Sequence, residues 1–346
     1  MQTAWFVTIA LMLTAYVVLD GFDFGAGIMH LFVAKTDEER RTVLAAIGPF
    51  WDGNEVWLVA SGGVLVFAFP RVYAVICSGF YLPLTMVLWL LIARGVAIEF
   101  RSQEQDLLWR AFWDGTFALS PAAMALVLGV TFGNLVRGFP IEPGRFFAMP
   151  LFTDFHTAPV AGAFDWYTVT AGAIALSALG AHGAAYLAWK TEAEVQRRSE
   201  RLARRMWLTT LLGLVLGTAA TWQVTPELLV HVFARALSYP VLLLVLSAAI
   251  VLGRALHLRL HLQAFLGSCA IIAGMLMLTA IGMYPTLLRS TYDAEANLTA
   301  MNASSARAGL IAGFWWWAPA MTLAVGYFVF LFRMFRGKAN AGDYGH

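Results

Sequence analysis

Nine long apolar segments constrain this chain more than any other feature of its sequence. A helix needs about 20 mostly apolar residues to cross a bilayer, and these segments approach or exceed that length. They lie at residues 4–33, 51–69, 72–98, 112–136, 164–189, 207–224, 237–254, 262–284 and 308–332. Since backbone groups in lipid must be satisfied internally, and the runs lack the alternation of barrel strands, the segments predict helices. We therefore predict an all-α integral membrane protein with nine transmembrane helices.

The composition supports a membrane solvent. Hydrophobic residues make up 60% of the chain and charged residues 13%, whereas soluble domains carry about 25% charged residues. The net charge of +2 and the lack of a basic stripe with interleaved aromatic residues argue against nucleic acid as a partner. The two cysteines, Cys77 and Cys269, form no CxxC motif and offer no covalent haem attachment.

The distribution of Lys and Arg predicts the orientation of the chain. The loops that follow the odd-numbered segments hold 17 of the 23 Lys and Arg residues. Because cytoplasmic loops carry the excess of positive charge, we expect the N-terminus outside and the C-terminus in the cytoplasm. The run from Glu192 to Arg205 is the longest charged stretch. It predicts a solvated cytoplasmic helix that joins two bundles.

Ionisable residues within the segments are the candidate functional residues, because each is costly at mid-membrane. The predicted topology places several of them toward the cytoplasmic side: Asp20, Asp23, Asp52, Glu55, Arg94, Glu99, Arg101 and Asp114. Asp20 and Asp23 are three residues apart, as are Asp52 and Glu55, so each pair shares a helix face. The glycines near Asp20 and the run Ser61–Gly63 would let these helices approach closely. We expect the acids to form one cluster that takes up protons from the cytoplasm.

A plainer interpretation of the same residues stays open. Acids in the first turn of a helix are stabilised by the helix dipole, and charges near the interface cost little. Asp114 and Glu99 would then be interfacial charges paired with Arg94 or Arg101.

Histidines give little support for haem bound by this chain. Only His182 lies clearly within a segment, and haem between helices needs axial His or Met ligands in the core. The sequence offers no evident partner for His182 at similar depth. A b-type cytochrome anchor is therefore disfavoured.

Two motifs resemble those of a known family. The chain resembles subunit II of the cytochrome bd quinol oxidases in DGFDFGAG at residues 20–27 and WDGNEVW at residues 51–57. The similarity is dense over residues 18–135, where it continues through Ser78–Tyr81, Arg101-Ser102, Trp109-Arg110, Trp113-Asp114 and Gly133–Leu135. Beyond residue 135 it depends on hydropathy and on weak matches near Tyr284-Pro285 and Met301–Ser304. WDGNEVW is specific, whereas DGFD alone would not be.

The resemblance implies a function for the chain as part of a heterodimer. Such subunits pair with a haem-bearing subunit I, which holds two b-type haems, one d-type haem and the quinol site. The complex oxidises quinol, reduces oxygen to water, takes protons from the cytoplasm and does not pump. The resemblance implies no haem on this chain. Some members hold a structural quinone in this subunit, whose position here stays open, as does the presence of small single-helix accessory subunits.

The resemblance also implies roles for particular residues. The WDG aspartate, here Asp52, lies on a proton route across the subunit interface in this family, and Trp51 belongs to the same motif. Asp20, Asp23, Asp114 and Arg101 match polar family positions. The predicted proton pathway comprises Asp52, Trp51, Glu55, Asp23, Asp20 and Asp114, with Arg101, Arg94 and Glu99 as charge-balancing residues.

The predicted organisation follows from the segments and from the resemblance together. Family members have two four-helix bundles and one peripheral helix. Here these would be a first bundle at 1–137, an external loop at 138–163, a second bundle at 164–284, a ninth helix at 308–334 and a disordered cytoplasmic tail at 335–346. We expect a multi-pass protein of the bacterial cytoplasmic membrane, in contact with lipid and quinol.

One alternative function remains at this stage. A stand-alone ion-coupled transporter would use Asp20, Asp23, Asp52 and Glu55 as ligands for its coupling ion. Transporters often show broken helices around a midplane site, whereas these acids lie toward one side. That placement favours the oxidase subunit.

Overall fold

The computed structural model describes residues 1–142, 147, 149–158 and 161–343, and within that part the chain is almost entirely helical. The helices are α1 (Gln2–Val33), α2 (Asp37–Ile47), α3 (Trp51–Ala68), α4 (Pro70–Gly79), α5 (Tyr81–Phe100), α6 (Leu107–Arg137), α7 (Trp166–Lys190), α8 (Ala193–Val224), α9 (Pro226–Ala234), α10 (Ser238–Leu258), α11 (His261–Met283) and α12 (Arg307–Met334). Two short strands, β1 (Thr286–Leu288) and β2 (Leu298–Thr299), pair antiparallel before α12.

Eight helices of the described chain are long and apolar enough to cross a membrane: α1, α5, α6, α7, α8, α10, α11 and α12. The prediction of an all-α membrane protein is therefore confirmed. The helix that coincides with the predicted second segment is α3. It is not among the eight, and its first turns carry Asp52, Asn54 and Glu55. The count of nine spans stays a prediction.

Two predicted segments differ from the helices that form. The segment at 72–98 was expected to be one helix, but the chain divides it into α4 and α5 at Phe80. Pro83 has no N–H to donate to the carbonyl of Gly79, and its ring crowds that turn. The charged run at 192–205 is not a separate helix, because it forms the first half of α8 and continues into the apolar half without a break.

The centre of the molecule is the contact between α1 and α7. A Cβ at Gly25 would lie 2.1 Å from the carbonyl oxygen of Leu179, and one at Gly183 would lie 2.1 Å from the carbonyl carbon of Gly25. Only glycine allows the two backbones to approach this closely. Gly27 faces α6 in the same way, since its Cβ would lie 2.8 Å from the carbonyl oxygen of Phe117. The predicted close approach at Gly62 and Gly63 is not seen, as no described atom beyond the local turns of α3 lies within 4 Å of either Cβ position.

At the end of the molecule that carries the N-terminus, an ion pair fixes the start of α7. Asp165 caps α7 through the backbone N–H groups of Tyr167 and Thr168, at 2.7 and 2.9 Å. Its other carboxylate oxygen accepts a hydrogen bond from the buried Arg137 at the end of α6. Arg137 also donates to Asn134 at 2.7 Å, so α6 and α7 are joined at this end. The predicted external loop at 138–163 lies partly outside the described residues.

The segment that follows α12 is docked against the helices, where disorder was predicted. Lys190, at the end of α7, donates hydrogen bonds to the carbonyls of Phe335 and Gly337. Lys338 donates in return to the carbonyls of Trp189 and Thr191, at 2.6 and 3.0 Å. The last carbonyls of a helix need such donors. The polar composition of the tail gave no sign of this reciprocal contact. Residues 344–346 lie outside the described part.

Candidate functional site

A polar stripe along α1 supplies one wall of the candidate site. Tyr16, Asp20, Asp23 and His30 are all buried, and their spacing of four, three and seven residues keeps them on one helix face. Ten residues separate Asp20 from His30, which corresponds to about 15 Å along the helix axis. The stripe therefore meets two groups of partners at two depths. The single cluster predicted from the sequence is wrong on this point.

The first group, here called the Arg94 cluster, comprises Tyr16, Asp20, Asp23, Asn54, Glu55 and Arg94. Arg94 on α5 bridges two acids, with Nη1 2.5 Å from Asp20 Oδ1 and Nη2 2.8 Å from Glu55 Oε2. The guanidinium also lies 4.5 Å from the centroid of the Phe24 ring. One cation thus holds α1, α3 and α5 together.

Asp23 and Asn54 form the second contact of the Arg94 cluster. Asn54 Nδ2 donates to Asp23 Oδ2 at 2.7 Å and to the carbonyl of Leu19 at 3.2 Å. Several buried polar atoms here have no hydrogen-bond partner among the described residues: Tyr16 Oη, Asp20 Oδ2, Asp23 Oδ1, Asn54 Oδ1, Trp57 Nε1 and Arg94 Nε. Buried polar groups are normally paired with protein or water, so this concentration marks a place suited to internal water.

The second group, here called the Asp114 cluster, comprises His30, Asp37, Arg40, Arg101, Arg110 and Asp114. The buried Asp114 carboxylate accepts from His30 Nε2 at 2.7 Å, from Arg40 Nη1 at 2.7 Å and from Arg101 Nε at 2.6 Å. Arg101 and Arg110 both reach Asp37, at 2.8 and 3.2 Å. This network ties α2 to the ends of α1, α5 and α6.

A third contact joins α2 to α8. Arg198 donates to Glu39 at 2.8 Å and to the carbonyl of Val33 at 2.8 Å. Partial burial acts to raise the pKa of the Glu39 carboxyl, but hydrogen bonds from Arg198 and from the backbone N–H groups of Lys35 and Thr36 outweigh it. The pKa of Glu39 therefore lies below its ordinary value.

Asp52 lies apart from both clusters. It is exposed, and within the described part of the chain its side chain makes no hydrogen bond or ion pair. The Trp51 ring packs toward α5, 3.4 Å from the Cβ position of Gly95. Glu99 is also exposed. Its predicted pairing with Arg94 or Arg101 is wrong. Arg94 pairs with Asp20 and Glu55, and Arg101 pairs with Asp114 and Asp37.

Comparison with known proteins identifies the family. The model of the family "Cytochrome bd terminal oxidase subunit II" matches residues 1–335. The chain belongs to this family. A curated relative, "Cytochrome bd ubiquinol oxidase subunit 2" of Bacillus subtilis (strain 168), is 30% identical over 306 residues, covering 87% of this chain and 86% of the relative. "Cytochrome bd-I ubiquinol oxidase subunit 2" of Escherichia coli (strain K12) is 28% identical over 329 residues, with 88% and 86% covered.

A solved structure supports the fold of this subunit II chain. It is described as "The structure of bd oxidase from Geobacillus thermodenitrificans", with a TM-score of 0.72 at 19% identity, covering 96% of this chain and 98% of that one. The family resemblance seen in the motifs is confirmed. Membership places the chain in the bacterial cytoplasmic membrane as a multi-pass subunit of a quinol oxidase. It also implies a complex with subunit I.

His182 of this subunit II chain is bonded within its own chain. His182 Nε2 lies 3.0 Å from the carbonyl of Val18 and Nδ1 2.6 Å from Ser268 Oγ, so both ring nitrogens are engaged. A carbonyl only accepts, so Nε2 carries the proton. Among the described residues, no group of three His, Cys, Asp or Glu side chains is placed to hold a metal ion.

Sequence reasoning missed six residues of the two clusters. Tyr16 and His30 lie at helical spacing from Asp20 and Asp23, so extending the polar stripe of α1 in both directions would have found them. Asn54 lies on α3 between the two acids Asp52 and Glu55, and Arg110 lies on α6. Asp37 and Arg40 belong to α2, a short amphipathic helix that the search for apolar segments passed over.

Proposed function

We propose that this chain supports the haem-bearing subunit I of a cytochrome bd-type quinol oxidase and supplies a cytoplasmic proton route for reduction of oxygen to water. Quinol oxidation and oxygen reduction on opposite sides of the membrane would generate proton motive force without pumping. The chain would not be catalytic alone. It would have nine spans in two four-helix bundles and a peripheral helix, with its N-terminus outside.

One observation carries the assignment of the subunit I interface, namely the outer face of α3. Asp52, Val56, Val59, Gly63 and Val66 recur at spacings of four, three, four and three residues, and all are exposed. Val59 is 72% exposed. An unpaired carboxylate in the first turn of an apolar helix face makes contact with lipid unfavourable, since anionic headgroups repel an aspartate. A protein partner that covers this face would meet Asp52 at its edge.

The Arg94 cluster lies directly behind this face and supports the inner part of the route. Glu55 is 25% exposed, whereas Asp20 and Asp23 are fully buried. Three carboxyl groups face a single guanidinium, so a proton on one of the carboxyls would reduce the excess negative charge of this buried site. Asp23 is the best candidate to hold it, because it makes no ion pair in the described structure and one of its oxygens is unpartnered. Arg94 cannot release a proton and would keep the acids in place.

The transporter alternative is not favoured. It needs Asp20, Asp23, Asp52 and Glu55 to face one ion. Arg94 occupies the position between Asp20 and Glu55, and Asp52 points outward.

Replacement of Asp52 by Asn in the purified complex tests the proposal. We expect oxygen consumption with quinol to fall about tenfold or more while haem content stays unchanged, because general proton-transfer groups contribute roughly 10²–10⁴-fold. Asp52→Glu should recover much of the rate, and Glu104→Gln, at an exposed acid near α6, is the matched control. Unchanged turnover in assembled Asp52→Asn would remove Asp52 from the route, and loss of haem would assign it to assembly.

The cofactors follow the same assignment. The b- and d-type haems would reside in subunit I, where they supply electron transfer and oxygen chemistry.

A further inference from the structure

One face of α8 changes from arginine to leucine along its length. Arg197, Arg201, Arg204, Leu208 and Leu212 follow one another at spacings of three or four residues, so they share a helix face. All are exposed, and Arg205 lies beside them. Leu208 is 63% exposed. This face therefore passes from a charged surface to an apolar one within two helical turns.

The neighbouring helix α10 shows the same change in the opposite chain direction. Leu243, Leu246, Ile250, Arg254 and His257 recur at three or four residues, and all five are exposed. Here the apolar residues come first and the basic ones last. Since α8 begins with its arginines and α10 ends with its own, both basic ends meet on one side of the molecule.

A hydrogen bond joins the two basic ends. Arg204 Nε donates to the carbonyl of Leu256 at 2.8 Å, which links α8 to the last turn of α10. The arginine face, defined here as Arg201, Arg204, Arg205 and Arg254, is thus one continuous surface. The bond of Arg204 to a carbonyl leaves its charge uncompensated.

The acids nearby are already used by other cations. Glu200 lies 2.7 Å from His261 and 3.6 Å from Arg259, while Glu194 pairs with Arg197 and with Arg198. Within the described chain, none of the four arginines of the face forms an ion pair. Their positive charge is therefore available to a partner outside this chain.

We propose that the arginine face binds the headgroups of anionic phospholipids. Two observations select a lipid. The positive charge is continuous with exposed leucines on both helices, so one molecule can place its phosphate on the arginines and its acyl chains along Leu208, Leu212 and Ile250. The contrast with α3 is also informative, since there the exposed apolar face ends in Asp52. Clusters of Lys and Arg at the end of a membrane helix attract anionic headgroups, and guanidinium groups suit phosphate geometry.

Site-resolved cross-linking in the whole oxidase complex tests this inference. The complex is reconstituted in phosphatidylcholine vesicles that contain a trace of photoactivatable phosphatidylglycerol or phosphatidylcholine, and cross-linked peptides are mapped. We expect peptides from 193–212 and 250–262 to capture phosphatidylglycerol about fivefold more than phosphatidylcholine. Arg201→Gln/Arg205→Gln/Arg254→Gln should abolish this preference. Arg204 is left intact, because it holds α10.

Controls separate a specific site from general charge and from misfolding. Arg201→Lys/Arg205→Lys/Arg254→Lys should keep most of the preference. Arg71→Gln/Arg307→Gln, at two exposed arginines elsewhere, should keep all of it. The Gln variant should retain haem content and quinol turnover. Failure of the proposed proton route leaves this test unaffected, since cross-linking is read out independently of turnover.

Four outcomes would overturn the inference. Equal capture of the two lipids by the wild type excludes headgroup selectivity, and persistence of the preference in the Gln variant places the site elsewhere. Displacement by millimolar inorganic phosphate, beyond the effect of chloride at equal ionic strength, indicates a free-anion site. A protein that co-purifies with the wild type but not with the Gln variant, with no lipid preference, assigns the face to a protein contact.

Discussion

Arg94 is the residue on which the buried charges of the Arg94 cluster depend. Its guanidinium satisfies Asp20 and Glu55 at once and lies over the Phe24 ring. The cation and its acidic partners stabilise one another, because the desolvation cost of each buried charge is compensated only by the other charges. Loss of one member therefore leaves the rest uncompensated.

Replacement of Arg94 by Met should destabilise the complex. It leaves Asp20 and Glu55 buried or half-buried without a counter-charge, which costs about 3–5 kcal/mol. We expect a lower thermal midpoint and a lower yield of complex with haem bound. The thermal midpoint of Arg94→Lys should lie between those of the wild type and Arg94→Met, since one ammonium group cannot reproduce both bonds. Arg71→Gln, at an exposed arginine, is the control, and a wild-type midpoint in Arg94→Met would show that the pairing contributes little.

At the scale of the helices, α1 is the element around which the others are arranged. Its glycines admit α7 and α6, and its polar face admits side chains from α3, α5 and α6. In lipid, apolar contact alone does not drive helices together, so close packing at small residues and interhelical polar contacts decide which helices meet. The glycine-rich motif thus serves packing while the acids of the same motif serve the site.

Substitution of Gly183 by Ala should separate α1 from α7. The added methyl group would meet the backbone of Gly25 at 2.1 Å, and backbone cannot move aside as a flexible side chain does. Overpacking costs about 1–3 kcal/mol, and we expect a lower thermal midpoint of the complex. Gly253→Ala is the matched control, because among the described residues nothing beyond the local turns of α10 lies within 4 Å of its Cβ position. Equal midpoints for the two variants would contradict this account of the α1–α7 contact.

Contacts between the first and second halves, and between the second half and the segment after α12, hold the molecule together. The α1–α7 packing lies at the centre, the Arg198–Glu39 pair joins α8 to α2, and the docked segment after α12 binds the end of α7. One cluster of buried residues accordingly extends across both halves, from α1 to α11. The division at 137/164 into two bundles stays a prediction, and the two halves pack as neighbours through α1, α6 and α7.

The contribution of Glu39 should depend on pH. Its folded-state pKa lies below the ordinary value of 4.5, so its stabilising effect is fully present above about pH 4.5 and is lost as the pH falls through the lowered pKa. Glu39→Gln should therefore have a lower thermal midpoint than the wild type at neutral pH. The difference should shrink below about pH 4.5. Glu38→Gln, at an exposed neighbour, is the control, and a difference independent of pH would show that the carboxylate charge is not responsible.

The sequence by itself determined the solvent of this protein and its class of fold. Long apolar runs with few charges fold as helices in lipid because the backbone has no other partner there. The same runs gave the limits of most helices within a few residues, and the motifs at 20–27 and 51–57 identified the family. Pro83 was visible as well, although its effect on the segment at 72–98 was not anticipated.

Only the tertiary structure decided which charges meet. Asp20, Glu55 and Arg94 come from three helices, as do His30, Arg101 and Asp114, and the rotation of each helix about its axis sets these pairs. Hydropathy gives the depth of a residue but not that rotation, which depends on packing at glycines far away in sequence. For the same reason the sequence placed Asp52 and Asp20 in one group, whereas packing buries Asp20 beside Arg94 and leaves Asp52 on the outer face of α3.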